Sequence, residues 1–314
     1  MIRLIKSKIP HSTKIKIESC FCWFIKNLFK TLQISYLGYK VFFPAKDNSA
    51  ARIYFRYLLS HSWSHENFEQ NIVKALLLKH MESSQFIDGG ANYGLYSLLA
   101  ASVPTVKKVY AIECSSETVH WLKKTITYNH LENKIQCIHA AIAANSGEMH
   151  YVRSSNNSEW TQTCKVSELD QAKHSNETIK SIQLDDLIFN QMDLNDGSVF
   201  IKLDLEGNDR QAFQGLNKLF ASNIDYVILT EMHTGLFKTE ESVLQYAQEL
   251  WNINATGVYD LHVHSIPKKI MEIHTLTQFC SLLKEYIGNE FPLNLTNILL
   301  SKRKLSPELL TEIR

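Results

Sequence analysis

The sequence predicts an α/β fold of the doubly wound class, with a mostly parallel sheet and helices on both of its faces. Three observations lead there. Short apolar runs alternate along the chain with segments of helical period, in the order strand, helix, strand, helix, strand, repeated. The run Phe86-Ile87 ends in Asp88 and a turn of small residues, Gly89-Gly90-Ala91-Asn92-Tyr93-Gly94, from which an apolar helix runs to Ala101. Acidic and histidine residues then recur at the expected strand ends, where ligands of such sheets bind.

Composition bounds the alternatives. Over 314 residues, 45% are hydrophobic and 21% charged, ordinary for a globular protein. A formal net charge of +1 offers no field for nucleic acid. Six cysteines show neither Cys-x-x-Cys pairs nor zinc spacing, so they read as buried, reduced thiols of a cytoplasmic protein. No apolar run reaches the ~18 residues of a membrane span. No signal peptide is expected, because Lys26 and Lys30 interrupt the first apolar cluster.

Three regions are expected: a basic, amphipathic lead-in at 1–65 packed on the main domain, a main domain at 66–303, and a charged tail at 304–314 that frays. In the lead-in, Phe21 to Leu32 has helical spacing, after a stretch rich in Lys and Arg. The preferred reading is a helix packed on the main domain. The alternative is an interfacial helix, giving residues 1–32 a weak peripheral contact with the inner membrane surface. Leu37 to Phe43 reads as a strand, and Ala51–Leu59 and Asn67–Met81 as helices, the second capped by Asn67.

The main domain follows as strand Lys108–Ile112 ending in Glu113, a helix capped by Ser116, and strand Ile135–Ala143. Glu148–Arg153 is a hairpin or edge element. Residues 154–177 form a polar loop, either a lid or an inert insertion. From Ser198 a strand runs into Lys202, Asp204 and Glu206 at alternate positions, hence on one side by the period of two, and Gly207 closes it; Glu206 with Gly207 alternatively forms a turn. Strand Asp225–Met232 ends in Glu231 and His233. A strand at 255–259 leads to His262 and His264, and Asn297–Leu300 is the last strand.

The site chemistry follows from these ends. Gly90 and Gly94 let the backbone turn sharply, and Asn92 tolerates a left-handed conformation. Glu113 lies ~20 residues past the turn, where such folds hold a ribose. Two acids, Asp88 and Glu113, with no basic residue in the turn, suit a ligand with a ribose and a cationic part. S-adenosylmethionine is such a ligand. A dinucleotide would require Gly-x-Gly-x-x-Gly, which Gly90-Ala-Asn-Tyr-Gly94 does not supply.

At this point a family resemblance is visible. Phe86-Ile-Asp-Gly-Gly-Ala-Asn-Tyr-Gly-Leu-Tyr-Ser97, Val109-Tyr-Ala-Ile-Glu113 with Ser115, Asn129, Gln183-Leu-Asp-Asp-Leu187, Ile201-Lys-Leu-Asp-Leu-Glu-Gly207 and Glu231 resemble the motifs of FkbM-type S-adenosylmethionine-dependent methyltransferases, across about residues 66 to 301. Three positions depart from the pattern: Cys114 for the usual Pro, Gly89 for an apolar residue, and Asn208 for His. The resemblance implies a Rossmann-like class I methyltransferase sheet with an antiparallel last strand. It also implies methyl transfer to oxygen, on a glycan, lipid or natural-product hydroxyl.

The cofactor-binding set is then Asp88, Gly90, Ala91, Asn92, Tyr93, Gly94, Glu113, Cys114, Ala140 and Ala141, with the two alanines beside the adenine. Asp204 is the first candidate for the base that removes the acceptor proton, with Glu231 and His233 behind it. A divalent ion held by Asp204, Glu231, His233, His262 and His264 is a further option, but nothing in the sequence fixes their distances and no metal is assigned. Two rivals stand beside this reading. One is a family member that binds cofactor or partner without turnover, and the other is a nicotinamide-dependent oxidoreductase.

Overall fold

The computed structural model describes residues 11–59, 66–81, 83–153, 162–165, 177–194, 197–233, 239–253, 255–261, 270–286 and 295–312. The chain opens with helix α1 (His11–Leu28), strands β1 (Thr31–Tyr36) and β2 (Tyr39–Pro44), and helices α2 (Asn48–Leu59) and α3 (Glu66–Lys79). Then come β3 (Ser84–Gly89), α4 (Leu95–Ala101), β4 (Val106–Glu113), α5 (Ser116–Tyr128) and β5 (Ile135–His139). Four short strands follow: β6 (Ala141–Ile142), β7 (Met149–Arg153), β8 (Gln162–Lys165) and β9 (Thr178–Ile182). The C-terminal half holds α6 (Leu184–Gln191), β10 (Ser198–Leu203), α7 (Asp209–Gln214), α8 (Asn217–Ala221), β11 (Asp225–His233), α9 (Glu240–Trp251) and β12 (Gly257–Asp260). It closes with β13 (Met271–Glu272), α10 (Leu276–Tyr286), β14 (Leu295–Ser301) and α11 (Pro307–Glu312).

Among the described residues the central sheet has eight strands, ordered β13-β12-β14-β11-β10-β3-β4-β5. The five from β5 to β11 run parallel, and β14 runs antiparallel between β11 and β12. From β3 the chain winds outward through β4 and β5, then returns to β10 on the other side of β3. That reversal lies between β3 and β10, and the carboxyl tips beside such a switch point are where sheets of this kind bind ligands.

Period-two alternation divides the core between the two faces. Phe86, Phe200, Val227, Leu229 and Leu299 face α3 and α4 residues such as Ile72, Leu76 and Leu98. Ile87, Ile201, Leu203, Ile228 and Leu300 face α6, α8 and α9 residues such as Leu187, Leu219 and Val243. Both faces being apolar explains why these strands read as continuous hydrophobic runs.

Several local expectations are corrected. The first helix stops at Leu28, and Leu32 is buried in β1. A hairpin replaces the single strand expected from Leu37, because Leu37 and Gly38 both take positive φ (51° and 86°), the geometry of a two-residue hairpin turn. Asn67 lies inside α3 instead of capping it. The third strand breaks at Ala140: β6 leaves the main sheet to pair with β9. Within the polar 154–177 stretch, β8 pairs with β7; the rest lies outside the described residues, apart from Glu177. The charged tail contains α11 and buries Leu305 and Leu309, so the apolar residues in it outweigh its charges.

The hairpin is fastened to α5 by two side chains. The Asn129 amide nitrogen donates to Lys40 O and Thr125 O, both at 2.7 Å, and its Oδ1 accepts from Lys40 N at 2.9 Å. Thr125 Oγ1 accepts from Phe42 N at 3.1 Å. Asn129→Ala leaves the part-buried N–H and C=O of Lys40 in β2 without these partners and is expected to lower the unfolding free energy by about 1 kcal/mol. Urea melts of the variant beside the parent protein measure that difference.

Candidate active site

The strand tips meet in register. Gly89 of β3 pairs with Leu203 of β10 and Ile112 of β4, and Leu203 pairs with Thr230 of β11. Asp204 follows at the tip of β10, its N–H donating to Gly89 O at 3.0 Å. Gly90 turns left-handed at φ 73°, and a Cβ there would lie 2.0 Å from Asp204 O. Only glycine lets the two tips approach this closely. At Gly89 a Cβ would meet Ile142 Cδ1 at 2.8 Å and Leu203 Cδ2 at 2.9 Å, so a larger residue there would require those two side-chain ends to shift.

The turn itself is zipped to β4. Gly90 N and Ala91 N both donate to Ile112 O, at 3.0 and 2.9 Å. Asn92 is left-handed at φ 48°, as its type permits, and its N–H donates to Glu113 Oε2 at 2.9 Å. Ser115 N donates to the other carboxylate oxygen at 2.8 Å. Gly94 takes φ 84° and starts α4 without a side-chain cap. Tyr93 lies in the loop, but its ring is buried edge-on against Phe43, 5.0 Å between centroids, so its side chain serves the core.

Both acids are buried. Burial pushes the Asp88 carboxyl above its ordinary range, against the opposing pull of the Lys202 ammonium and a Ser97 hydroxyl. Ser97 Oγ donates to Asp88 Oδ2 at 2.6 Å, while buried Oδ1 has no hydrogen-bond partner among the described residues. Glu113 is likewise raised by burial, opposed by the N–H groups of Ser115 and Asn92. Burial, and then the Glu113 charge, drive the neighbouring Cys114 thiol well upward, so it is an inert, protonated group. Cys114 packs with Ala141, Val152 and Ile179. Ala140 N donates to Glu113 O at 3.2 Å, tying the ends of β4 and β5 together.

On the face of the sheet covered by α3 and α4 lies a charge network that the sequence reading did not single out. Lys202 is 5% exposed, 3.1 Å from Asp204 Oδ2 and 4.7 Å from the centroid of the Tyr96 ring. Tyr96 donates its hydroxyl to Glu69 Oε1 at 2.6 Å, and the Asn297 amide donates to Glu69 Oε2 at 2.7 Å. Burial works against the Lys202 charge, but Asp204, Asp88 and Glu69 outweigh it and raise its pKa. A lysine inside Val199-Phe-Ile-Lys-Leu203 was the available signal, since a cation in an apolar strand requires buried acids around it.

Glu231 lies in β11 two residues before its end, half-buried, one residue beyond Thr230 and paired in the sheet with Asn297. The side chain of His233, and all of His262 and His264, lie outside the described residues. Among the described residues no three His, Cys, Asp or Glu side chains are grouped as metal ligands. Glu206 does not continue the Lys202–Asp204 alternation. It turns left-handed (φ 50°) with Gly207 (φ 97°), the turn-pair alternative.

The profile of the Methyltransferase FkbM domain matches residues 88–255, more than half of the chain. The chain belongs to the FkbM methyltransferase family. No curated protein matches it. Among solved structures it is similar to an FkbM methyltransferase of Methylobacillus flagellatus at 13% identity and a TM-score of 0.41. That likeness covers 81% of this chain and 54% of the other, so the chain spans about half the length of that relative. The TYW2 protein of M. jannaschii, crystallised with AdoMet, is similar at 11% identity and a TM-score of 0.39, covering 87% and 84% of the two chains. An Aquifex aeolicus SAM-dependent methyltransferase is similar at 12% identity and a TM-score of 0.36, covering 76% and 90%.

Two motif residues of this FkbM-family chain are structural. Asp185 is fully buried and accepts from Lys218 N and Leu219 N at 2.7 and 3.0 Å, capping α8 from a distance. Asn208, the departure from His, donates to Thr163 O and Oγ1 at 3.0 and 3.1 Å, pinning β8 to the start of α7.

Lys202→Met removes the cation that opposes the burial of Asp88. The Asp88 carboxyl then rises further, so the folded state holds its proton more tightly than the unfolded chain. The stability of the variant is fully present below the ordinary aspartate range and falls as pH climbs through the raised folded value. A loss of about 3 kcal/mol or more is expected at about pH 8, shrinking as pH falls toward about 4, the ordinary aspartate value. Urea titrations at the two pH values measure it; a gap of constant size would contradict the charge assignment.

Proposed function

We propose that this protein is an S-adenosylmethionine-dependent methyltransferase acting on a hydroxyl oxygen of a glycan, lipid or natural-product acceptor. The observation that carries the reading is the pair of buried carboxyls at adjacent strand tips, with Asp88 Oδ1 lacking a partner among the described residues. The residues present fit the cofactor. Glu113 Oε2 accepts the Asn92 N–H and Oε1 accepts the Ser115 N–H and, at 3.7 Å, the Cys114 thiol, which leaves acceptor capacity chiefly on Oε2 for a ribose hydroxyl. The loop from Gly90 to Gly94 offers backbone beside Asp88, its Tyr93 ring being turned against Phe43, and the Asp88 oxygen without a partner among the described residues suits an ammonium. The family match supports the same assignment.

The cofactor supplies a methyl group already activated on a sulfonium, so the protein's task is placement and proton removal. Asp204 stands next to the turn through its N–H to Gly89 O, and Lys202 orients its carboxylate through Oδ2. It takes the proton of the acceptor hydroxyl as the oxygen attacks. Glu231, at the neighbouring tip, is the second acid within the acceptor region.

Asp88→Ala or Glu113→Ala is expected to weaken S-adenosylmethionine binding about tenfold or more in calorimetric titration, the scale of one charged hydrogen bond. Unchanged affinity in both variants, or tighter binding of NAD, would defeat the assignment. Asp204→Asn is expected to retain the cofactor and lose turnover. Turnover is read by label transfer from S-adenosylmethionine into fractionated extract, which also identifies the acceptor; a variant as active as the parent removes Asp204 as the base.

A further inference from the structure

Helix α1 carries two apolar faces, and the domain covers only one. Cys22 and Ile25 are buried, and Phe21 stacks at a tilt on Phe55 of α2, 4.8 Å between centroids. On the other side Trp23, Phe24 and Leu28 are 69%, 53% and 58% exposed, and Phe29 follows at 50%. At ~100° per residue, positions 23, 24, 27 and 28 share one stripe ~140° wide. Single exposed apolar residues are ordinary, but four within seven positions form a patch that marks an interaction surface.

Charge selects the partner. Arg3, Lys6, Lys8, Lys14, Lys16 and Lys30 flank the patch in the sequence, with Glu18 the single acid among the first 32 residues. Lys26 is used internally, donating to Asn48 Oδ1 at 2.8 Å. A second copy of the chain would set two such basic tracts against each other. An anionic lipid surface complements them. No described helix is long and apolar enough to cross a membrane.

We propose that this face of α1 docks on anionic lipid. Trp23, Phe24, Leu28 and Phe29 enter the interfacial layer, and the exposed Lys30 beside them meets the lipid phosphates. The docking does not depend on methyl transfer.

The test uses the full chain with phosphatidylcholine vesicles, with and without phosphatidylglycerol. Co-sedimentation with the anionic vesicles is expected, weakening as salt is added, with a blue shift of tryptophan emission that Trp23→Phe abolishes. Trp23→Ser with Phe24→Ser is expected to cut vesicle partitioning about tenfold or more, while thermal melting stays unchanged because both side chains are exposed. Equal binding to neutral and anionic vesicles, or parent-like binding by the double variant, overturns the proposal. So does an absence of vesicle binding together with a dimer in sedimentation velocity that the double variant dissociates, which would assign the face to a second copy.

Discussion

The site depends on one buried ammonium. Lys202 sits in the middle of the sheet among apolar neighbours, and three carboxylates, Asp204, Asp88 and Glu69, surround it. Burying an ion costs several kcal/mol even after relaxation, and its partners do no more than roughly repay that. Apolar residues of similar volume would serve stability as well or better. The network is therefore better explained by what it holds in place than by what it adds to folding. It sets the Asp204 carboxylate at the tip of β10, and it brings Tyr96 and Ser97 of α4 down onto the tips of β10 and β3.

The network also joins parts of the chain that the family profile does not span. Glu69 lies on α3 before the matched region, and Asn297 on β14 after it. Their hydrogen bond links residues far apart in sequence over the same face that carries Lys202. The antiparallel placement of β14 makes this possible, since its pairing with β11 sets Asn297 directly opposite Glu231. The lead-in is likewise part of the structure around the site: the hairpin hangs on Asn129 and Thr125, and Phe43 packs the Tyr93 ring that anchors the glycine turn.

Much of the fold was legible because its strands are covered on both faces, so each appears as an apolar run ending in a polar tip. The glycine turn was legible for a local reason: Gly90, Asn92 and Gly94 are residue types that tolerate the positive φ they adopt. What escaped was set by distance in the chain. Nothing near Leu37 shows that Leu32 belongs to a strand until its hairpin partner Phe43 is in place. The break at Ala140 depends on β9, some forty residues later, capturing β6. Period two correctly placed Lys202 beside Asp204, but it failed for Glu206, because the strand ends at Leu203 and the chain turns left-handed. The residues closing the charge network, Glu69, Tyr96 and Asn297, carry no local signal, for each is an ordinary residue type in its own segment.

The balance of that network bears on the proposed ligand. Asp204, Asp88 and the helix residue Glu69 surround one lysine, in a setting that excludes most water. Lys202 is already engaged by Asp204 at 3.1 Å and by the Tyr96 ring, which leaves Asp88 only longer-range compensation. Its raised pKa and unpartnered Oδ1 are two expressions of the same deficit. A neutral or anionic ligand at this position would leave the deficit in place or deepen it. A ligand presenting an ammonium beside a ribose would relieve it at Asp88 and meet the acceptor capacity of Glu113 at the next tip. On electrostatic grounds the proposed cofactor, with its cationic groups, suits these strand tips better than a pyrophosphate would.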